Sequence, residues 1–192
     1  MTLNLITLAT IKSQLGITAT TYDSSLTAMI PIVSADVRRI LNTQYDNYST
    51  AVYTSGSTDL NTYAPGVTDY RKSYGTPLSL KMGDVVTGEN IPDDTYIISQ
   101  NPDTGVYTMN QSATGAGDYV YPTVNISQWP TISKMVFYRV SKSNTTSVGE
   151  KSAISKSVGG LSVNYGNSEI NKRWNYPQTL IDDLGVPFAE VG

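Results

Sequence analysis

Cysteine and histidine are both absent from the 192 residues. Without cysteine there are no disulfides, iron–sulfur clusters or thiolate zinc sites. Without histidine, the commonest metal ligand and the commonest general base near neutral pH are missing. Charge is scarce too. Only 15% of residues are charged, and a net charge of −3 gives no electrostatic grip on phosphates. No apolar run approaches the roughly 20 residues of a membrane span. The opening LNLITLATI has no basic segment before it, so no signal peptide is expected and the expected setting is a cytoplasm, or a particle assembled in one. Tyrosine, by contrast, is plentiful at 14 residues, amid many Ser, Thr, Asn and Gly. That is the composition of a β-rich structural protein rather than of a metabolic enzyme. The length suffices for one domain with a real core, or one domain plus a sizeable insert.

The strongest periodic signal lies at 23–42. Leu26, Met29, Ile30, Val33, Val37, Ile40 and Leu41 recur at three- and four-residue steps, which puts them on one stripe of a helix. Thr27, Ser34, Asp36 and Arg38 fall elsewhere on the wheel, Asp23 or Ser24 is the expected cap, and Pro31 is expected to kink the helix without ending it. Before it, Thr7 caps a short helix over 8–15, with Leu8, Ile11 and Leu15 apolar and Gly16 as the stop. A single amphipathic helix cannot bury its own stripe, so its partners lie elsewhere in the chain.

From 43 to 128 the character changes to short β-prone runs among Gly, Pro, Asn, Asp, Ser and Thr. Strands are expected at 51–54, 78–81, 85–87, 95–99, 106–109 and 119–125. NPDTG at 101–105 serves as a hairpin loop and NIPDD at 90–94 as a turn, while 46–74 gives no pattern. Helical period returns over 129–143, where Pro130 suits a first turn and Ile132, Met135, Val136, Arg139 and Val140 keep step. Next, AISKSVGGLSVNY at 153–165 alternates about Gly159-Gly160, pairing Val158 with Leu161, Lys156 with Val163 and Ile154 with Tyr165. Residues 166–175 read as a loop. Pro177 then opens a short helix through Leu184, and an extended tail follows with Pro187, Phe188 and Val191 apolar. The fold class expected is α+β. A small helical bundle forms from 1–43 and 129–192, with a large β-rich insertion over 44–128, then a hairpin, a short helix and an extended tail.

Both ends resemble the head–tail connector (adaptor) family of tailed bacteriophages. The likeness is carried by LITLATIKSQLGI with its following Asp-led helix, by the 129–143 helix in the place of a third helix, and by SKSVGGLSVNYG with YPQTLIDDLGVPFAEVG at the close. The 43–128 segment is longer than that family's usual connection. Within it, MGDVVTGENIPDDTYIIS is similar to small β modules of virion proteins. The resemblance implies a structural virion protein of the phage neck, assembled in the host cytoplasm. Identical subunits would form a ring, a dodecamer by the resemblance, that binds the portal protein. That ring would pass double-stranded DNA without sequence-specific contacts and would meet a tail or stopper protein below. Val186, Pro187, Phe188 and Val191 are then the expected portal- or neighbour-binding residues. Arg38 and Arg39 are candidates for a subunit contact or the channel lining, against the plain reading of a solvated helix face.

Other chemistry fits less well. The adjacent pairs Asp93-Asp94 and Asp182-Asp183 point in different directions, whereas a glycosidase needs two carboxylates facing across a cleft. Asp84, Glu89, Asp93 and Asp94 supply oxygens dense enough for calcium but lack the EF-hand spacing, and turns are commonly acidic. No catalytic residue, cofactor, metal or membrane contact is expected. The rival to the connector reading is a carbohydrate- or receptor-binding virion protein, with the β insert, its tyrosines and the two Trp supplying contact area.

Overall fold

The computed structural model describes residues 4–43, 45, 49–61, 80–143, 152–158 and 161–185. The protein is mixed α+β. It divides into two compact units, Met1–Gln44 with Gln128–Gly192, and Tyr45–Ser127. The first unit is assembled from segments far apart in the chain, and the second from one continuous stretch.

In the first unit, α1 spans Leu8–Leu15. Thr7 Oγ1 accepts the Thr10 N–H at 3.2 Å, so the side chain takes up one of the free amides of the first turn. Gly16 ends the helix at φ 66, and the Ile17 N–H returns to the Lys12 carbonyl at 2.8 Å. Helix α2, Asp23–Leu41, runs unbroken through the exposed Pro31. Its cap differs from the sequence expectation. Tyr22 holds the cap position without a side-chain bond, and the Asp23 carboxylate instead pairs with Lys12 Nζ of α1 at 2.8 Å. Leu26, Ile30, Val33, Val37, Ile40 and Leu41 are buried as their spacing requires, and Ser34, Asp36 and Arg38 are buried as well.

Helix α3, Trp129–Ser143, is the centre of this unit, with α1, α2 and α4 (Gln178–Leu184) all packed against it. Ile132, Met135, Val136, Phe137, Tyr138 and Val140 are nearly inaccessible, as are Thr131, Ser133 and Ser141 on other sides of the helix. A helix enclosed on most sides loses the two-faced pattern of a surface helix. Strands β7, Ser152–Val158, and β8, Leu161–Glu169, form an antiparallel hairpin. Val158 pairs with Leu161, Ser157 with Ser162, Lys156 with Val163 and Ser155 with Asn164, after which the register slips so that Ala153 meets Ser168. The expected pairing of Ile154 with Tyr165 falls inside that slip. Strand β8 also continues to Glu169, into the stretch expected to be a loop. On β8, Val163 and Tyr165 are buried while Ser162 and Asn164 are exposed.

Among its described residues the second unit holds six strands: β1 Ser49–Tyr53, β2 Asp59–Leu60, β3 Asp84–Thr87, β4 Ile97–Gln100, β5 Tyr107–Met109 and β6 Gly117–Asn125. They form two antiparallel sheets, β1-β6-β3 and β2-β5-β4. Single bridges Val52–Asn61 and Val85–Tyr96 tie the sheets at both edges, so these six strands make a closed circuit and, among the described residues, leave no long open edge. Strand β6 pairs β1 through residues 117–120 and β3 through 121–125. Pro122 therefore falls beyond the β1 pairing, where its missing N–H disrupts little. The core is Ala51, Tyr53, Leu60, Leu80, Val86, Ile97, Tyr107, Met109, Ala113 and Val120. Of the strand expected at 78–81, residues 78–79 lie outside the described residues. Leu80 and Lys81 are not in a strand, and the Lys81 N–H instead closes a turn onto Asp84 Oδ2 at 2.7 Å. The two-residue strand β2 lies in a region where the sequence offers no pattern.

Candidate functional site

Helices α2 and α3 and the turn before α4 converge on one buried polar node in the first unit. Arg139 Nη2 donates to Asp36 Oδ2 at 2.7 Å, and the Tyr176 hydroxyl donates to the same oxygen at 2.7 Å. Arg139 Nε in turn donates to the Tyr176 oxygen at 2.8 Å, with the guanidinium 4.5 Å from the centre of that ring. Each charge-bearing group thus has a partner, as burial demands. Burial acts first on Tyr176 and pushes its phenol well above the ordinary value, outweighing the Arg139 bond that would lower it. For Arg139 desolvation works against the charge, but the bonds to Tyr176 and Asp36 prevail and hold it more firmly protonated. The node ties together residues up to 140 positions apart.

Sequence reasoning missed this node, although a signal for it was present. Arg139 keeps step with the apolar stripe Ile132, Met135, Val136 and Val140, and a cation on such a stripe demands a buried anion. Asp36 falls off the stripe of its own helix, yet it sits three and four residues from Val33 and Ile40, at the border of that stripe.

The predicted site residues fall in different places. Arg38 is buried, at 7% exposure, and so departs from the solvated face expected of it. Arg39 keeps that expectation: its side chain is 67% exposed and reaches Asp36 Oδ1 only at 3.8 Å. Val186, Pro187, Phe188 and Val191 lie outside the described residues. The acidic pairs serve turns and helix surface. Asp94 adopts φ 59 within its turn, and Asp182 Oδ1 accepts from Gln178 at 2.8 Å on the exposed side of α4. Asp84 closes its turn and receives Asn125 Nδ2 at 3.0 Å. Among the described residues no three Asp or Glu side chains gather to hold a metal ion.

The second unit carries a cleft of about 390 Å³ lined by Tyr53, Glu89, Ala116, Gly117, Asp118, Tyr119 and Tyr121. The Tyr53 hydroxyl forms its floor, donating to the Glu89 carbonyl and also facing the Tyr119 carbonyl at 3.4 Å. Gly117 makes room for that ring, since a Cβ there would overlap the Tyr53 hydroxyl and ring edge. Tyr119 and Tyr121, two residues apart on β6, are 53% and 36% exposed at the rim.

Compared with models of protein families and with curated proteins, the chain matches none.

Proposed function

We propose that this chain is a structural adaptor of the neck of a tailed bacteriophage, joining a portal ring to the tail by binding rather than by chemistry. The observation that supports the reading most is the assembly of the first unit. Residues 1–44 and 128–192 fold together while 45–127 fold as a separate unit. This is the arrangement expected of a connector's helical bundle into which a β module has been inserted between its second and third helices. The segments carrying the resemblance all belong to that first unit.

In this reading identical subunits associate head to tail, and the heterologous interface closes into a ring. The tail at 186–192, led by Phe188, buries its apolar side chains on a neighbour or on the portal, since exposed apolar residues gain from such burial. Arg39 is the basic side chain available on α2 for a subunit contact. A net charge of −3 suits a conduit, because a basic lumen would hold DNA through its phosphates.

Removing residues 185–192 is the test. The truncated protein keeps the tryptophan emission and circular dichroism of the intact chain and no longer co-sediments with portal rings of the same phage. If it joins portals as well as the intact protein does, the tail's role is lost. If the intact protein ignores portals and instead binds host surface glycans, the adaptor reading itself fails.

A further inference from the structure

The cleft of the second unit is surrounded by groups of one electrostatic character. Glu89 and Asp118 bring carboxylates, the Glu89 and Tyr119 carbonyls face the Tyr53 hydroxyl, and Tyr119 and Tyr121 bring exposed, electron-rich aromatic rings to the rim. Among the described residues no Lys or Arg lines it. Among the described residues no cation forms an ion pair with Glu89 or Asp118. The two carboxylates act together on one spot: after burial, first Glu89 and then Asp118 push the Tyr53 phenol upward. The Tyr53 hydroxyl at the floor is held by backbone carbonyls, and its ring occupies the space that Gly117 leaves by lacking a Cβ. At Gly88 a Cβ would likewise come within 2.6 Å of the Tyr119 carbonyl.

Such a lining repels phosphates, sulfates and acidic sugars, and favours a cation. A compact, strongly hydrated metal ion finds only two carboxylates here and loses its water for aromatic faces. A guanidinium suits every part of the lining. It is planar, weakly hydrated, stacks on tyrosine and presents several N–H donors to carboxylates at once. We propose that this cleft receives the arginine side chain of a partner polypeptide. The guanidinium lies against Tyr119 and Tyr121 and donates to Glu89 and Asp118. The assignment stands on the cleft alone and does not depend on the adaptor reading.

The test titrates the full ¹⁵N-labelled chain with N-acetyl-arginine amide, its uncharged citrulline analogue, N-acetyl-lysine amide, methyl glucoside and calcium chloride in parallel. Arginine amide shifts the backbone amides of Gly88, Gly117, Tyr119 and Tyr121 in a saturable way, lysine amide does so more weakly, and citrulline leaves them in place. The double variant Glu89→Gln with Asp118→Asn keeps the rest of the spectrum, because both side chains are exposed, and binds arginine amide about tenfold or more weakly. Equal shifts from citrulline would remove charge as the basis of recognition. Shifts from the glucoside or from calcium, with arginine silent, would reassign the cleft to a sugar or a metal. Binding that appears only after Arg71→Ser with Lys72→Ser would make the chain's own basic pair the occupant and overturn the partner assignment, as would silence toward every probe.

Discussion

The two units solve the problem of a stable core by opposite means. The first joins regular helices from distant parts of the chain and tolerates charge inside: both charged residues that are buried among the described ones, Asp36 and Arg38, belong to it. The second folds from one continuous stretch and has an entirely uncharged core cluster of aliphatic side chains, Met109 and two tyrosines, held by short strands and tight turns. A buried ion pair adds little net stability over an apolar pair of similar volume, yet is costly to break. The first unit is therefore specified by an interaction that only the correct docking of α2, α3 and the turn before α4 satisfies. The second is specified by local backbone geometry. Both tryptophans, Trp129 and Trp174, lie in the first unit, so their emission reports that unit by itself.

The largest effect expected follows from this contrast. Asp36→Ala leaves Arg139 and the Tyr176 hydroxyl without their common acceptor and lowers the stability of the first unit by about 3 kcal/mol. Replacing the node together, Asp36→Leu with Arg139→Met and Tyr176→Phe, recovers most of that loss because neither a charge nor a buried hydroxyl is left unpaired. Guanidinium chloride titrations followed by tryptophan emission measure both. A loss below about 1 kcal/mol for Asp36→Ala would reduce the node to an ordinary surface pair.

Alkali separates the units next. Tyr165 and Tyr176 in the first unit are both held well above the ordinary phenol value, chiefly by burial, and Tyr53 in the second is raised for the same first reason. In the unfolded chain these phenols lose their protons near pH 10, whereas in the folded chain they keep them. The unfolded state then binds fewer protons, so stability is intact below pH 10 and falls above it. The slope is about 1.4 kcal/mol per pH unit for each tyrosine. The first unit, with two such tyrosines, loses its tryptophan signal in urea at lower denaturant as pH rises from 9 to 11. The second unit, followed through the amides of β6, shifts less. Equal slopes would mean that burial of these phenols does not distinguish the units.

Gly117→Ala probes the second unit alone. Its Cβ overlaps the Tyr53 hydroxyl and ring edge, so the ring must shift and its bonds to the Glu89 and Tyr119 carbonyls weaken. An overpacked site of this kind costs about 1–3 kcal/mol. Thermal loss of the β6 amide signals comes earlier while tryptophan emission is unchanged. A matching drop in tryptophan emission would show the units to be one cooperative block.

The same contrast explains what could be read from the sequence. Helices α1, α2 and α3 were legible because their apolar residues recur at a period set by helix geometry, with Thr7, Gly16 and Pro130 marking ends. The β7–β8 turn was legible because Gly159-Gly160 sits between alternating residues, although the slip past Asn164 was not. In the second unit the strands at β1, β3, β4, β5 and β6 could be placed approximately, since β-prone residues cluster between turn formers. Their circular pairing could not, because it depends on single bridges such as Val52–Asn61 that no local pattern encodes. Leu60 is fully buried in a strand of two residues, too short for alternation to appear. The Asp36 node and the Tyr53 cleft escaped for a related reason: their members are ordinary residues that matter only once distant segments meet.

Where both units do rely on the same device, the expected effects are smallest and alike. Thr7 Oγ1 caps α1 by accepting the Thr10 N–H. Asn101 Oδ1 accepts the Asp103 and Thr104 N–H groups at 2.9 and 3.3 Å, and Gly105 closes that turn at φ 69. In each case a side-chain oxygen satisfies backbone amides that the local geometry leaves unpaired, and the rest of the side chain is marginal to the core. Thr7→Ala and Asn101→Ala therefore each cost about 1 kcal/mol, the one seen in tryptophan emission and the other only in the second unit's amides. Water reaches Asn101 more readily than it reaches the partly buried Thr7, so the Asn101 loss lies at the lower end of that range. If Asn101→Ala instead costs as much as Gly117→Ala, the 101–105 turn sets the β4–β5 register rather than following it. Local turn chemistry would then organise the second unit as firmly as the buried node organises the first.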